Sequence, residues 1–339
     1  MTIHDMGARA KAAARVLANA GSLKETALLH AAGALWQRRK EILSANSLDL
    51  AAGREAGMSQ ALLDRLALTE SRVQGMSSAV EQVAKAADPV GKVLSGQTLA
   101  NGLQLEKVTV PLGVIGIIYE ARPNVTSDAA ALCLKAGNAV ILRGGKEAFR
   151  SNQAVTKVLR EALEEKGLPG DSVQLVEDTS RRSAQELMAL TDYLDVLIPR
   201  GGAGLIRSVK ENARVPVIET GVGNCHVYVD KDADLDMAAD IIYNAKCSRP
   251  SVCNAIETIL VHRDAAEEAL PKIKARLDEK QVELRGCERA RAILPGITPA
   301  AEEDWETEYL DYILAVKVVS SLEEALEHIA RYSTGHSEC

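Results

Sequence analysis

An α/β fold with a parallel sheet is predicted by short β-rich runs that alternate with helical segments after residue 113. The chain has 339 residues, which indicates about two domains at roughly 150 residues per domain. Apolar residues make up 47% of the chain and charged residues 26%, as in ordinary globular domains. This composition excludes a disordered, collagen-like or coiled-coil protein.

The first hundred residues are predicted to be helical, because apolar residues recur at helical spacing. The alternating stretch Leu103–Val110 is predicted to be a strand of an exposed arm near residues 98–111. Five strands are then predicted over Val114–Tyr119, Ala139–Arg143, Val173–Val176, Leu194–Pro199 and Val215–Ile218. The predicted helices among them are Ser127–Lys135, Ser151–Lys166, Ser180–Ala189 and Ala203–Asn212. This order implies a parallel sheet covered by helices.

A second α/β unit is predicted from about His226, so we expect domains at 1–225 and 226–339. About three clear strands are predicted in it, over His226–Val229, Ala255–Val261 and Ile313–Val319. Its predicted helices are Leu235–Asn244, Ala265–Asp278 and Leu322–Ala330.

Charge and composition exclude several classes of partner. A net charge of −7 and 3% aromatic residues disfavour nucleic-acid binding, which needs cations for phosphates and rings for base stacking. The longest apolar run, Val108–Tyr119, is interrupted by Pro111 and is too short to span a membrane. The six cysteines are spread thinly and lack metal-ligand spacing, so we expect no metal site and a reducing, cytoplasmic location.

Three predicted strands end in a charged residue: Arg143, Arg200 and Glu219. Ligands of open parallel sheets bind beyond the carboxyl ends of strands, so each is a candidate ligand group, with a solvated strand end as the alternative. Arg143-Gly-Gly-Lys146 lacks the spacing of a Walker A motif, which disfavours a kinase or ATPase. Its two cations suit an additional phosphate, such as the 2′-phosphate of NADP.

The turn that follows Arg200 carries Gly201 and Gly202 immediately before a predicted helix. Glycines allow close backbone approach, and a helix N-terminus favours an anionic phosphate. The spacing differs from the G-x-G-x-x-G fingerprint, so an ordinary tight strand–helix turn is the alternative interpretation.

Cys253 is the main candidate for a nucleophile. Pro250 favours a non-helical backbone just before it, and Arg249 and Lys246 are near enough in sequence to favour the reactive thiolate. The alternative is that Cys253 is a small buried apolar residue, and Cys247 is a competing candidate nucleophile.

Asn124 follows Arg122-Pro123 at a strand exit. Its side-chain N–H is suited to donate to a developing oxyanion. A helix-capping Asn is the alternative interpretation.

Three segments together resemble the γ-glutamyl phosphate reductase family of the aldehyde dehydrogenase superfamily. They are Val110–Thr126, Leu197–Gly204 and Arg249–Cys253, and the resemblance extends over nearly the whole chain. It implies an aldehyde dehydrogenase-like fold with a Rossmann-type NADP-binding domain, a catalytic domain and a small oligomerisation arm. Members of the family continue beyond Ser337, so we expect a truncated chain whose catalytic domain is incomplete.

The resemblance also implies a function: NADPH-dependent reduction of L-glutamyl 5-phosphate to L-glutamate 5-semialdehyde through a thioester on Cys253. Asn124 would help to form the oxyanion hole, Arg143 would contact the adenine ribose, and Glu308 would hold the nicotinamide ribose. Glu219 lies where hydrolytic relatives have a water-activating Glu. Its role here is undetermined, because activated water would hydrolyse the thioester intermediate before it could be reduced.

Arg122 and Arg249 are candidates for binding the substrate phosphate or α-carboxylate, because a planar guanidinium binds such groups through two donors. The alternative is that each forms a structural salt bridge. As partners we expect further copies of this chain and glutamate 5-kinase. The alternatives to the function are an aldehyde dehydrogenase that yields a free acid and a truncated, non-catalytic chain.

Overall fold

The computed structural model describes residues 1–120, 122–219 and 221–339. The chain divides into two compact units, Met1–Thr220 and Gly221–Cys339. This division falls five residues before the boundary expected after residue 225. Each unit has its own buried apolar core, as expected for separately packed domains.

The first unit begins with helices, as predicted. Thr2 and Asp5 form a capping box in which each side chain accepts from the other's backbone N–H at 3.1 Å, so two N–H groups at this helix end are satisfied. The helices are α1 (Ile3–Leu17), α2 (Leu23–Gln37), α3 (Arg39–Glu55), α4 (Gln60–Leu66) and α5 (Glu70–Lys85).

An antiparallel hairpin follows, formed by β1 (Val93–Thr98) and β2 (Gln104–Val108). Every residue of both strands is exposed, including Leu94 and Leu105. The predicted arm therefore exists, but it has two strands and begins earlier than residue 98. The first strand was missed because Ser95, Gly96 and Gln97 interrupt its apolar pattern.

The sheet of the first unit has four parallel strands in the order β5-β4-β3-β6. All residues of β3 are buried, as expected for a parallel strand covered on both faces. The strands are β3 (Val114–Tyr119), β4 (Ala139–Arg143), β5 (Val173–Leu175) and β6 (Val196–Arg200). The helices among and after them are α6 (Asn124–Lys135), α7 (Phe149–Glu164), α8 (Arg181–Met188) and α9 (Ala203–Asn212), with short 3₁₀ turns at Lys146–Ala148 and Gly170–Ser172.

The fifth strand predicted for this unit, over Val215–Ile218, is not formed. A single bridge joins Val217 to Leu197 of β6. Pro216 has no N–H to donate to a strand ladder, and Ile218 is 51% exposed. The apolar run therefore lies beside the sheet without extending it.

The second unit contains a five-stranded parallel sheet in the order β10-β9-β11-β8-β7. Its strands are β7 (Cys225–Val229), β8 (Ile256–His262), β9 (Glu283–Gly286), β10 (Thr298–Pro299) and β11 (Ile313–Val319). Its helices are α10 (Leu235–Cys247), α11 (Arg263–Asp278), α12 (Glu288–Ile293) and α13 (Leu322–Tyr332), with a 3₁₀ turn at Glu302–Trp305. The expectation of about three strands is wrong, because β9 and β10 are too short and polar to be recognised by pattern.

None of the helices found in the described residues is long and apolar enough to cross a membrane. Across the same residues, no group of three or more histidine, cysteine, aspartate or glutamate side chains is arranged to hold a metal ion.

Gly113 begins β3 under a strict conformational constraint. Its φ is +124°, and a Cβ on it would overlap the carboxylate of Asp195. That carboxylate accepts from Val114 N at 2.7 Å and pairs with Lys11 Nζ of α1 at 2.9 Å. The glycine therefore lets Asp195 join the first strand of the sheet to the first helix.

Replacing Gly113 by Ala should lower the free energy of unfolding by about 1–3 kcal/mol, because the side chain is strained at this φ and displaces Asp195. Gly75→Ala is the matched control. Gly75 is exposed within α5 with open space around its Cα, so this change should raise stability by about 0.5–1 kcal/mol. Urea unfolding of both variants measures the difference, and equal effects would contradict the role of Asp195.

Candidate active site

Cys253 is an exposed thiol in the connection between α10 and β8. Two consecutive tight turns form this connection: Val252 N donates to Arg249 O at 3.3 Å, and Ala255 N donates to Val252 O at 3.1 Å. The loop setting predicted for the nucleophile is therefore present, and the alternative of a buried Cys253 is wrong.

The competing cysteine, Cys247, is buried at the end of α10, and burial raises the pKa of its thiol. Burial likewise raises the pKa of Cys133 to about 12 and that of Cys225 to about 11. These three thiols stay protonated at neutral pH, which disfavours them as nucleophiles.

The segment that leads into β7 lies against the backbone of Cys253. A Cβ on Gly223 would overlap the carbonyl group of Cys253, so only glycine fits at this position without displacing the loop. Cys225 Sγ donates to the same carbonyl oxygen at 3.3 Å. The backbone of the candidate nucleophile thus has two contacts with one short segment.

Glu308 reaches the same segment from the opposite end of the unit's sequence. Its Oε1 accepts from Gly223 N at 3.0 Å. Because β7, β8 and β11 are parallel neighbours, the residues that precede them meet at one edge of the sheet. The predicted site residues Cys253 and Glu308 therefore both contact Gly223 at the amino ends of these strands. The rule about strand exits points to the other edge of the sheet.

Lys246 does not have the role considered for it beside the thiol of Cys253. It is buried, and its Nζ donates to Glu257 Oε2 at 2.6 Å and to Ile256 O at 3.0 Å. Its charge therefore serves a buried carboxylate of β8. The sequence places Lys246 close to Cys253, but α10 turns its side chain into the interior.

The Lys246–Glu257 pair also holds the loop that carries Glu308. Glu257 Oε1 accepts from Leu310 N at 3.3 Å, and Leu310 has a φ of +55°, which is strained for a bulky residue. Burial raises the pKa of Glu257 to about 7 and lowers the pKa of Lys246. Each charge is therefore costly alone, and the pair persists because each residue compensates the other.

In the first unit, Gly201 and Gly202 form the turn between β6 and α9. A Cβ on Gly201 would overlap the side chains of Glu120 and Leu205, whereas one on Gly202 would meet no atom nearer than Glu120 Oε1 at 4.0 Å. The turn is therefore open at Gly202. Gly202 N donates to Glu120 Oε2 at 3.1 Å, and this carboxylate stands in for an anionic oxygen at a helix N-terminus. The turn therefore fits a pyrophosphate.

Arg143 ends β4 and is held by the backbone. Its Nη2 donates to Thr179 O at 2.6 Å and to Ser180 O at 2.9 Å. Its Nε is buried and has no hydrogen-bond partner among the described residues, and burial lowers its pKa. Lys146 is exposed three residues later. The guanidinium lies at the carboxyl end of β4, the edge of the sheet where ligands of open parallel sheets bind.

Asn124 is the first residue of α6 and is exposed. Its Nδ2 donates to Asp128 Oδ2 at 3.0 Å, and burial raises the pKa of Asp128. Asn124 does not cap the helix, because Pro123 occupies that position. A primary amide carries two N–H donors, so one remains for a ligand. Arg122, just before α6, donates its backbone N–H to Glu120 O at 2.7 Å.

The remaining predicted residues are exposed: Arg200 at the end of β6, Arg249 in the Cys253 loop, and Glu219. Glu219 Oε1 lies 2.7 Å from Lys210 Nζ of α9. This ion pair joins two exposed side chains and engages one oxygen of the carboxylate.

Comparison with known proteins identifies the family. Residues 2–311 match the profile of the aldehyde dehydrogenase family. The γ-glutamyl phosphate reductase of Moorella thermoacetica is 60% identical over 339 residues, which cover 100% of this chain and 81% of the relative. The chain belongs to the γ-glutamyl phosphate reductase family. The expected family, superfamily and α/β fold are therefore confirmed.

Solved structures of the family agree with this assignment. The crystal structure of γ-glutamyl phosphate reductase from Thermotoga maritima superposes with a TM-score of 0.92 at 49% identity, covering 98% of this chain and 81% of that one. The enzyme from Saccharomyces cerevisiae matches with a TM-score of 0.61 at 30% identity, over 100% and 86% of the two chains.

Sequence reasoning missed Gly223, Cys225 and Glu120. Glu120 directly follows β3, so the rule that selected Arg143 at a strand exit would have found it. Gly223 has one signal, its position in Gly221-Val-Gly223 just before a strand. Cys225 has none, since a buried cysteine at a strand end is ordinary.

Lys246→Ala should lower the free energy of unfolding by about 3–5 kcal/mol, because it leaves the buried Glu257 carboxylate without its partner. The double variant Lys246→Met/Glu257→Leu should lose less, since both charges are then removed. Denaturant unfolding of the single and double variants measures this. A double variant less stable than Lys246→Ala would contradict the compensation.

Proposed function

We propose that this chain reduces L-glutamyl 5-phosphate to L-glutamate 5-semialdehyde with NADPH and releases phosphate, the second step of proline biosynthesis from glutamate. The chain is an oxidoreductase of the aldehyde dehydrogenase superfamily, and the cofactor of the family is NADP(H). The observation that carries the proposal is the exposed thiol of Cys253. The backbone carbonyl of Cys253 packs against Gly223, whose N–H donates to Glu308.

In the proposed first step, the Cys253 thiolate attacks the γ-acyl carbon of the substrate, and the bond to the phosphate oxygen breaks. The products are a thioester on Cys253 and free phosphate. We assign stabilisation of the oxyanion to the backbone N–H of Cys253 and the side-chain amide of Asn124. We assign the substrate phosphate or α-carboxylate to Arg122 and Arg249, because a guanidinium binds such groups through two donors.

Each part of NADPH has candidate ligands among the predicted site residues. Arg143 and Lys146 would bind the ribose 2′-phosphate, Gly201 and Gly202 with neighbouring Arg200 would bind the pyrophosphate, and Glu308 would accept from the nicotinamide ribose. When bound, NADPH supplies the hydride that the reduction requires. Addition of this hydride to the thioester carbon gives a tetrahedral adduct on Cys253. Its collapse forms the aldehyde and releases Cys253 as the thiolate.

Glu219 is proposed as a site residue that does not activate water. Its carboxylate is engaged by Lys210 at 2.7 Å, and a hydrolysed thioester would release glutamate without reduction. The thioester must survive until hydride arrives, so activation of water by Glu219 would oppose the proposed reaction.

We also propose that the domains are an NADP-binding domain at 1–225 and a catalytic domain from residue 226, and that the enzyme acts in the cytoplasm. A homo-oligomer is supported by the exposed hairpin, whose apolar residues Leu94, Leu103 and Leu105 lack cover. Association with glutamate 5-kinase is proposed because acyl phosphates hydrolyse readily and benefit from direct transfer.

Cys253→Ser should reduce kcat by at least about 1,000-fold, because a serine hydroxyl stays protonated and is a far weaker nucleophile than a thiolate. NADPH binding should persist. The assay runs in reverse, as NADP reduction by glutamate semialdehyde. In the wild type this rate should require inorganic phosphate. Turnover without phosphate would indicate an aldehyde dehydrogenase that yields a free acid. Full activity of Cys253→Ser would exclude Cys253 as the nucleophile.

Arg143→Ala should lower the ratio of kcat/KM for NADPH to that for NADH by roughly tenfold or more, because a charge-assisted contact with a dianionic phosphate is lost. Arg182→Ala is the control. Arg182 is an exposed arginine of α8 that pairs with Glu186, so its loss should leave the ratio unchanged. A ratio unaffected by Arg143→Ala would remove this residue from the cofactor site.

A further inference from the structure

We propose that Gly223 and Cys225 are positioning residues that fix the main chain of Cys253 and couple it to Glu308. The proposal rests on the proposed role of Cys253 as nucleophile. We call residues 223–225 the clamp segment. It lies within one compact unit, so all of its contacts belong to the same packed body.

Gly223 contacts both the nucleophile's backbone and Glu308. Its Cα side faces the carbonyl group of Cys253 so closely that a Cβ would also lie 2.9 Å from Cys253 Cα. Its N–H donates to Glu308 Oε1 at 3.0 Å. One residue therefore touches both the nucleophile's backbone and the carboxylate assigned to the cofactor, so a displacement of either is transmitted to the other.

Cys225 is 1% exposed, and its thiol faces the backbone of Cys253. Its Sγ lies 3.3 Å from Cys253 O and 3.8 Å from His336 Nδ1. Burial, helped by the charge of Glu338, raises its pKa to about 11. The thiol therefore keeps its proton at neutral pH and is able to donate it to the carbonyl.

The loop that receives these contacts is exposed at Cys253. Cys253 sits within a turn closed by a bond of 3.1 Å from Ala255 N to Val252 O, and its side chain is exposed. Packing around the thiol itself is therefore slight. Contacts to the carbonyl of Cys253 orient its peptide plane and hence the direction of Cα–Cβ, and small misplacements of a nucleophile are costly.

The experiment compares Cys225→Ala, Cys225→Ser and the control Cys247→Ala. Cys247 is a second buried thiol of the same unit that lies outside the clamp segment. Cys225→Ala should lower kcat about 3- to 10-fold, the value of one hydrogen bond, with KM for NADPH within about twofold of wild type. It should also speed hydrogen exchange at the Ala255 amide. Cys225→Ser keeps a donor and should restore both readouts, and Cys247→Ala should change neither.

The proposal is overturned if Cys225→Ala has the kcat and exchange of Cys247→Ala, or if Cys225→Ser behaves like Cys225→Ala. Gly223→Ala should lose kcat more strongly than Cys225→Ala. Because its added Cβ overlaps the Cys253 carbonyl and also strains the fold, the cysteine variants decide the matter. Full activity of Cys253→Ser would instead overturn the proposed function, so the two failures are distinguishable.

Discussion

Parallel strand pairing is the constraint on which both units depend. Consecutive parallel strands need a crossover, usually a helix, and the helices then cover both faces of the sheet. Strands β3 and β8 are therefore buried along their whole length, and β3 contains no charged residue. The same constraint aligns like ends of strands, so residues far apart in sequence become neighbours at a sheet edge.

The candidate site residues lie at opposite ends of the strands in the two units. In the first unit, Glu120, Arg143 and the Gly201–Gly202 turn follow strands, as the general rule for open sheets expects. In the second, Cys253 and Glu308 precede strands and meet at their amino ends, on either side of Gly223. In the first unit, the N-terminus of α9 favours an anion. In the second unit, the amino ends of the strands carry the Cys253 thiol in a turn.

The second unit also contains a buried pair of charged side chains. Apolar residues at the same positions would avoid the desolvation free energy that these charges cost. Lys246 and Glu257 are both fully buried, and burying two charges is expensive even when they are paired. Their added bond to Leu310 N ties β8 to the loop of Glu308. A directional polar bond specifies the path of that loop more narrowly than apolar packing does.

The sequence alone determined the elements whose pattern is strong and local: β3, β4, α9 and β11 were predicted with the bounds that the structure shows. Cys253 was selected because a proline-led loop is also a local signal. Short polar strands such as β9 and β10 gave no such signal, and Pro216 decided against a fifth strand in a run that otherwise looked apolar.

Only the tertiary structure decided which side chains meet. Lys246, seven residues before Cys253, turns inward to Glu257, while Glu308 and Gly223 come together across the sheet edge. The physical reason is that strand order and helix facing are set by packing over the whole unit. The hydropathy of a segment determines what that segment forms, and its partners in the sheet determine what it touches.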